Sequence, residues 1–139
     1  MKKFLTLCLM AMVLVGCGSN AEPKSATAES AKAEDGSYAK VTVEVTDGKI
    51  TAIYMDEISG DQSKKELGEY YWMAVASKIG KHWHEQVEFL ENYIVNNGLE
   101  AVELADAGYP KNDDVLAGCT FNIGNLVQTA KDAEAQANK

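Results

Sequence analysis

Hydrophobic and polar residues alternate over residues 38–46: Ala39, Val41, Val43 and Val45 fall on one side, Lys40, Thr42, Glu44 and Thr46 on the other. Strict alternation predicts a half-buried strand. Asp47-Gly48 follows, the composition of a two-residue type I′ hairpin. A second strand is predicted from Lys49 to about Glu57, with Thr46 opposite Lys49, Val45 opposite Ile50, Val43 opposite Ala52 and Val41 opposite Tyr54. Beyond Ser59-Gly60-Asp61 the period changes. Ser63-Lys64-Lys65-Glu66 matches a capping box. Leu67, Tyr71, Ala74 and Val75 continue it at helical spacing up to Gly80. Trp83, Val87, Leu90 and Ile94 predict a second helix from about His82 to Asn97, closed by Gly98. Leu99 to Leu104 is too short to assign between a helical turn and a strand. Val115 and Leu116 read as a short strand. Ile123, Leu126, Val127 and Ala130 predict a last helix from about Thr120 to Asn122 onward. A hairpin followed by helices predicts an α+β domain, a small antiparallel sheet packed with about three helices.

The first 34 residues follow a different pattern. Lys2 and Lys3 precede an apolar run over residues 4–15 that closes with Leu14-Val15-Gly16-Cys17. Twelve helical residues span only about 18 Å, short of a hydrocarbon core of about 30 Å. The run therefore reads as an export signal over residues 1–16. Its end resembles the bacterial lipobox, which implies lipid attachment at Cys17 and an extracytoplasmic, membrane-anchored protein. Acyl chains contribute about 0.8 kcal/mol per buried methylene, so two or more hold a protein firmly at a membrane. Residues 18–34 lack any large apolar side chain and read, with Cys17, as a disordered tether. The folded domain is expected over residues 35–135.

Charge and cysteine count narrow the classes. Loss of Lys2 and Lys3 leaves 11 Lys against 21 Asp plus Glu, a net charge of −10, with no Arg in the chain. Nucleic-acid binding needs clustered positive charge and is not expected. Cys8 departs with the signal and Cys17 carries lipid, so Cys119 has no internal disulfide partner.

Chemistry concentrates at Asp114-Val115-Leu116-Ala117-Gly118-Cys119-Thr120. Small residues lead into a hydroxyl where a helix is expected to begin. First-turn N–H groups lack internal partners and carry partial positive charge, which suits a phosphate. By itself the segment also reads as a strand-to-helix turn with a capping Thr. It resembles the flavin-attachment segment of FMN-binding domains, found in flavin lipoproteins and in flavin-carrying subunits of membrane reductases. That pattern is Asp, two variable residues, Ser or Thr, Gly, Ala, then Ser or Thr. Asp114, Gly118 and Thr120 match; Ala117 stands for the first hydroxyl residue and Cys119 for Ala. Asp35-Gly36-Ser37-Tyr38 is similar to the family's Asp-Gly-Thr-Tyr opening, and the Asp47–Thr51 run is also typical. The resemblance implies FMN as cofactor, with Asp114, Ala117, Gly118, Cys119 and Thr120 at its site. Two forms stay open: FMN joined to Thr120 by a phosphoester that a flavin transferase makes from FAD, or FMN held without a covalent bond. It further implies an electron carrier more than a turnover enzyme, with unidentified redox partners. A 17-residue flexible tether spans about 20–25 Å r.m.s., enough to swing such a domain.

Other chemistries compete. Residues two apart on a helix point about 200° apart, so His82 and His84 are not expected to share a face, and His84 with Glu88 makes too few ligands for zinc. No metal site is expected. Tyr70, Tyr71 and Trp72 read as packing residues. Cys119 near a helix start is a candidate reactive thiol. A cofactor-free lipoprotein that binds a small ligand, or is purely structural, is the remaining alternative.

Overall fold

The computed structural model describes residues 21–71 and 73–139. The expected signal, the lipobox with Cys17, the first part of the tether and Trp72 lie outside the described residues. The fold is α+β. Four antiparallel strands lie in chain order: β1 (Lys24–Glu29), β2 (Tyr38–Thr46), β3 (Lys49–Ser59) and β4 (Gln62–Ser63). Against one face pack two long helices, α2 (Trp83–Asn97) on β3 and α4 (Gly124–Ala137) on β1 and β2. The single-turn helices are α1 (Lys64–Leu67), extended by a 3-10 turn at Gly68–Tyr70, and α3 (Asp113–Leu116).

β1 falls within the segment expected as tether. It pairs along its whole length with β2, from Lys24 opposite Val45 to Glu29 opposite Lys40. The sheet therefore begins about ten residues before the expected domain start. Ala28 is buried and Ala26 packs on the core. Small side chains are enough here, because ladder hydrogen bonds and an existing sheet face replace the large apolar groups that the composition lacks.

The β2–β3 turn forms as predicted. Asp47 and Gly48 both take positive φ, 53° and 74°, and Val45 stands opposite Ile50. The register then shifts between Glu44 and Val45, leaving Thr51 as the extra residue: Glu44 pairs with Ala52, Val43 with Ile53 and Val41 with Met55. The Thr51 hydroxyl donates to the Glu44 carbonyl at 3.3 Å. A bulge exchanges the faces of everything beyond it. Met55 accordingly becomes fully buried and Tyr54 is 48% exposed.

Sheet and helices share one core. Val41, Val43, Val45 and Met55 meet Trp83, Val87, Leu90 and Ile94 of α2 and Leu126, Val127, Ala130 and Ala133 of α4. Ser63 caps α1 as predicted, its hydroxyl accepting the Glu66 N–H at 3.0 Å. The predicted helix to Gly80 stops short, however: residues 73–80 form turns and Val75 is 81% exposed. Buried Asp56 fixes this corner, accepting the Glu57 and Lys65 N–H groups at 2.8 and 3.1 Å and the Ser63 hydroxyl. On the β3 edge left open by short β4, the Met55 N–H donates to Glu91 at 2.6 Å, and Lys65 closes on the same carboxylate.

Candidate functional site

The segment from Asn112 to Gly124 carries the candidate chemistry. Val115 and Leu116 lie in the helical turn α3, not in a strand. Asn112 leads in with extended backbone, and Asp113 and Asp114 occupy the first turn, where negative charge complements the helix dipole. The Asn112 side chain donates to the Tyr93 hydroxyl and the Ala101 carbonyl, each at 3.1 Å, so it fastens α3 to α2. Val115 then enters the core, while Asp114 faces solvent.

Gly118 comes next, and what approaches it closely is Phe89 of α2. A Cβ at position 118 would stand 2.3–2.5 Å from three ring atoms. A glycine required by an aromatic neighbour looks, in sequence, like one required by a phosphate. Cys119 is fully buried, and burial pushes its thiol up to about 12. A reactive thiol needs access and a lowered pKa; this one has neither and packs like Ala.

Thr120 is not the cap of the last helix. α4 begins at Gly124, whose N–H is taken by the Asn122 side-chain oxygen at 3.0 Å. The Ile123 N–H goes to the Gly108 carbonyl at 3.0 Å and the Asn122 amide to the Ala107 carbonyl at 2.7 Å. The chain is held against the 105–108 loop until Gly124, which delays the helix. The Thr120 N–H instead donates to Gln86 Oε1 at 2.9 Å, and its half-buried hydroxyl reaches the same oxygen at 3.4 Å. Gln86 is fully buried, and its Nε2 donates to Ser77 Oγ and the Lys81 carbonyl, both at 3.0 Å. The sequence reading missed Gln86. Its signal was a polar residue three after Trp83 and four before Leu90, on the apolar stripe of α2.

Two clefts flank this segment. Ala117 and Gly118 line one of about 260 Å³ with Ile79, Lys81, Glu85 and Phe89. Its walls are mainly apolar, and Lys81 supplies a cation 3.8 Å from Glu85. The larger cleft, about 460 Å³, is lined by Ser37, Tyr38, Glu57, Asp106, Asn122 and Gly124, among others. Thus Ser37 and Tyr38 of the opening motif and Ala117 and Gly118 of the second motif open onto different clefts, and Thr120 lines neither. Asp35 accepts both the N–H and the hydroxyl of Ser37, which hold its carboxyl below the ordinary range.

The aromatic and histidine residues are arranged differently from expectation. Tyr70 is 89% exposed, whereas Tyr71 meets Trp83 edge-on and Trp83 contacts Phe121 at 5.8 Å. His82 and His84 do come together, with near-parallel rings 5.7 Å apart. His82 precedes the helix in extended conformation, so helical spacing does not separate it from His84. Its N–H donates to Glu85 at 2.7 Å as one half of a capping box. Among the described residues no group of three or more His, Cys, Asp or Glu is placed to hold an ion. Nor, among them, is any helix long and apolar enough to cross a membrane.

The fold has solved counterparts. A Clostridium thermocellum protein whose structure was determined by solution NMR is 25% identical, with a TM-score of 0.57 over 85% of this chain and 93% of its own. A Clostridium perfringens protein known from a crystal structure is 22% identical, with a TM-score of 0.56 over 86% and 93%. No protein-family model matches the chain. No curated protein matches it either. These likenesses show the architecture.

The residues can be weighed against FMN directly. A flat ring with a phosphate asks for apolar walls, small residues at the backbone and a cation or free N–H groups. Ile79 and Phe89 supply apolar walls and Ala117 a small residue, but the Phe89 ring already fills the space beside Gly118, and Lys81, the one cation, shares the cleft with the Glu85 carboxylate 3.8 Å away. Thr120 lies two residues on, with its hydroxyl directed to Gln86 and outside the lining of the cleft. Cys119 and Asp114 supply nothing to it, one buried in the core and the other turned to solvent. At about 260 Å³ the cleft lies just below the usual 300–1,000 Å³ of enclosed ligand sites.

Proposed function

We propose that the chain is a membrane-anchored extracytoplasmic flavin carrier, lipidated at Cys17, that holds FMN at the Thr120 segment and passes electrons between partners. One observation supports this above the rest: Ala117 and Gly118 of the family-like motif wall an apolar cleft that also contains Phe89 and Lys81. Phe89 adds an apolar wall beside Gly118, and Lys81, 3.8 Å from Glu85, adds a cation near where a phosphate would sit. Bound flavin would supply the redox chemistry, and the protein its position and surroundings. An open cleft suits a carrier, since the ring edge stays within reach of donor and acceptor. Co-expression with a flavin transferase, followed by mass spectrometry, tests the covalent form through FMN mass on the Thr120 peptide. Titration of the protein with FMN, followed by flavin fluorescence, tests the noncovalent form. No adduct and no fluorescence change together overturn the reading.

A cofactor-free ligand-binding role has an observation of its own. The larger cleft carries Glu57 and Asp106 and no basic residue in its lining. Such walls favour a neutral or cationic small molecule over a phosphate. Protein that stays colourless and indifferent to FMN supports this second reading.

A further inference from the structure

The stretch from Tyr70 to His84 contains no Asp or Glu and carries Lys78 and Lys81, in a chain of net charge −8. It also presents the two most exposed large apolar side chains among the described residues, Tyr70 at 89% and Val75 at 81%. We propose that the loop of residues 70–81 is a second membrane contact, resting on the headgroups of an anionic bilayer. The inference uses the lipid anchor of the reading above and not its flavin.

The exposure is built into the loop. Met73 packs on the core, and its carbonyl accepts the Ala76 and Ser77 N–H groups at 3.0 and 2.8 Å. Buried Gln86 holds the far side, its Nε2 donating to Ser77 Oγ and the Lys81 carbonyl, both at 3.0 Å. The loop is pinned at these three residues, and Val75 and Lys78 stand outside. Tyrosine beside lysines is the composition of a membrane–water interface, where the ring sits at headgroup level and the ammonium meets anionic lipid.

Charge selects this occupant. Of the 11 Lys that remain after loss of the signal, the nine outside this stretch stand against all 21 Asp plus Glu. An anionic surface repels that remainder and attracts the loop. Lys81 has Glu85 at 3.8 Å, but both side chains are well exposed, and such pairs hold weakly.

The anchor and the loop can meet one bilayer. β1 starts at Lys24, opposite Val45 and beside the Asp47-Gly48 turn. α2 ends near the same turn, where Asn97 shares a cleft with Gly48 and Lys49. The loop precedes the other end of α2, whose 15 residues span about 22 Å. The seven residues from Cys17 to Lys24 reach at most about 25 Å.

The experiment uses the lipoprotein as a processing bacterium makes it, returned to vesicles. Acyl mass on the Cys17 peptide is read first; its absence overturns the anchor and this proposal with it. Val75→Cys then carries an environment-sensitive nitrobenzoxadiazole label, with Ala52→Cys, exposed on β3, as the comparison site. Cys119 is buried and stays unlabelled. In vesicles of equal parts phosphatidylglycerol and phosphatidylcholine, the label at position 75 should brighten and shift to the blue, and the label at 52 should not. Lys78→Gln with Lys81→Gln should weaken this contact about 25-fold, about fivefold for each lysine. Both variants alter exposed side chains and leave the core intact. Acylated protein whose label at 75 stays as aqueous as at 52 overturns the contact and leaves the loop to a protein partner. An equal response in pure phosphatidylcholine, or in the double lysine variant, overturns the role of charge on which the choice of occupant stands.

Discussion

The β2–β3 hairpin and the Asn112–Gly124 segment respond differently to their own sequence. In the hairpin, alternation and Asp47-Gly48 act within a few residues, and strands and turn form where those signals place them. In the second region the local signals suggest a strand, a close anionic ligand and a helix cap. Contacts from afar override the strand and the cap, through Tyr93 and Ala101 at Asn112 and Gln86 at Thr120, and a Phe89 ring packs over Gly118. Regular elements satisfy their own backbone groups, so local pattern decides them. An irregular segment has to find partners elsewhere.

The hairpin breaks its own rule once, at the Thr51 bulge, and the largest expected effect lies there. Met55→Ala should destabilise by about 2–5 kcal/mol, as for other large-to-small core changes, because Met55 is fully buried. Tyr54→Ala should cost about 1 kcal/mol, since half-exposed Tyr54 loses mainly its contact with Lys65 Nζ, 3.9 Å from the ring centre. Urea unfolding of both variants checks it; a reversed order means that the strands pair without the bulge.

Gly118→Ala sharpens the comparison from the other side. A Cβ there meets the Phe89 ring, and overpacking of this kind costs about 1–3 kcal/mol. Phe89→Leu in the same chain should recover part of that loss. A double-mutant cycle with no coupling would show that Phe89 is not why position 118 is glycine.

Cys119 gives a pH test of the same region. Burial raises its thiol from 9.0 to about 12 in the folded protein. The unfolded chain therefore loses this proton first, and the contribution of the protonated thiol is complete below pH 9. It is lost as pH rises toward 12, at up to about 1.4 kcal/mol per pH unit. Tyr54, raised from 10.0 to about 12 chiefly by its own burial, adds to the same alkaline slope. Denaturation midpoints between pH 8 and 10.5 should fall less steeply in Cys119→Ala than in the native sequence. Iodoacetamide at pH 8.5 should label Cys119 only as fast as the protein opens, and quick labelling of folded protein would contradict its burial.

The smallest effect belongs to Val75. Its spacing puts it on a helical stripe, yet it stands 81% exposed among turns. Val75→Lys should change stability by no more than about 0.5 kcal/mol. A loss of 2 kcal/mol or more in thermal unfolding would return this residue to a packed helix.

The sequence alone determined the α+β class, the hairpin turn, the Ser63 cap and the buried stripe of α2. In each, the apolar period or the turn chemistry was complete within about ten residues. It also marked Asp114, Ala117, Gly118, Cys119 and Thr120 as a unit, without the reason for their small side chains. Tertiary structure decided the rest. It drew residues 24–29 into the sheet, because β2 offered a free edge that composition does not reveal. It ended the first helix early, where Asp56 ties α1 to β3. It also set Gln86 beneath Thr120, 34 residues apart in the chain. Those outcomes depend on which buried polar group finds which partner, and that pairing exists only once distant parts of the chain have packed together.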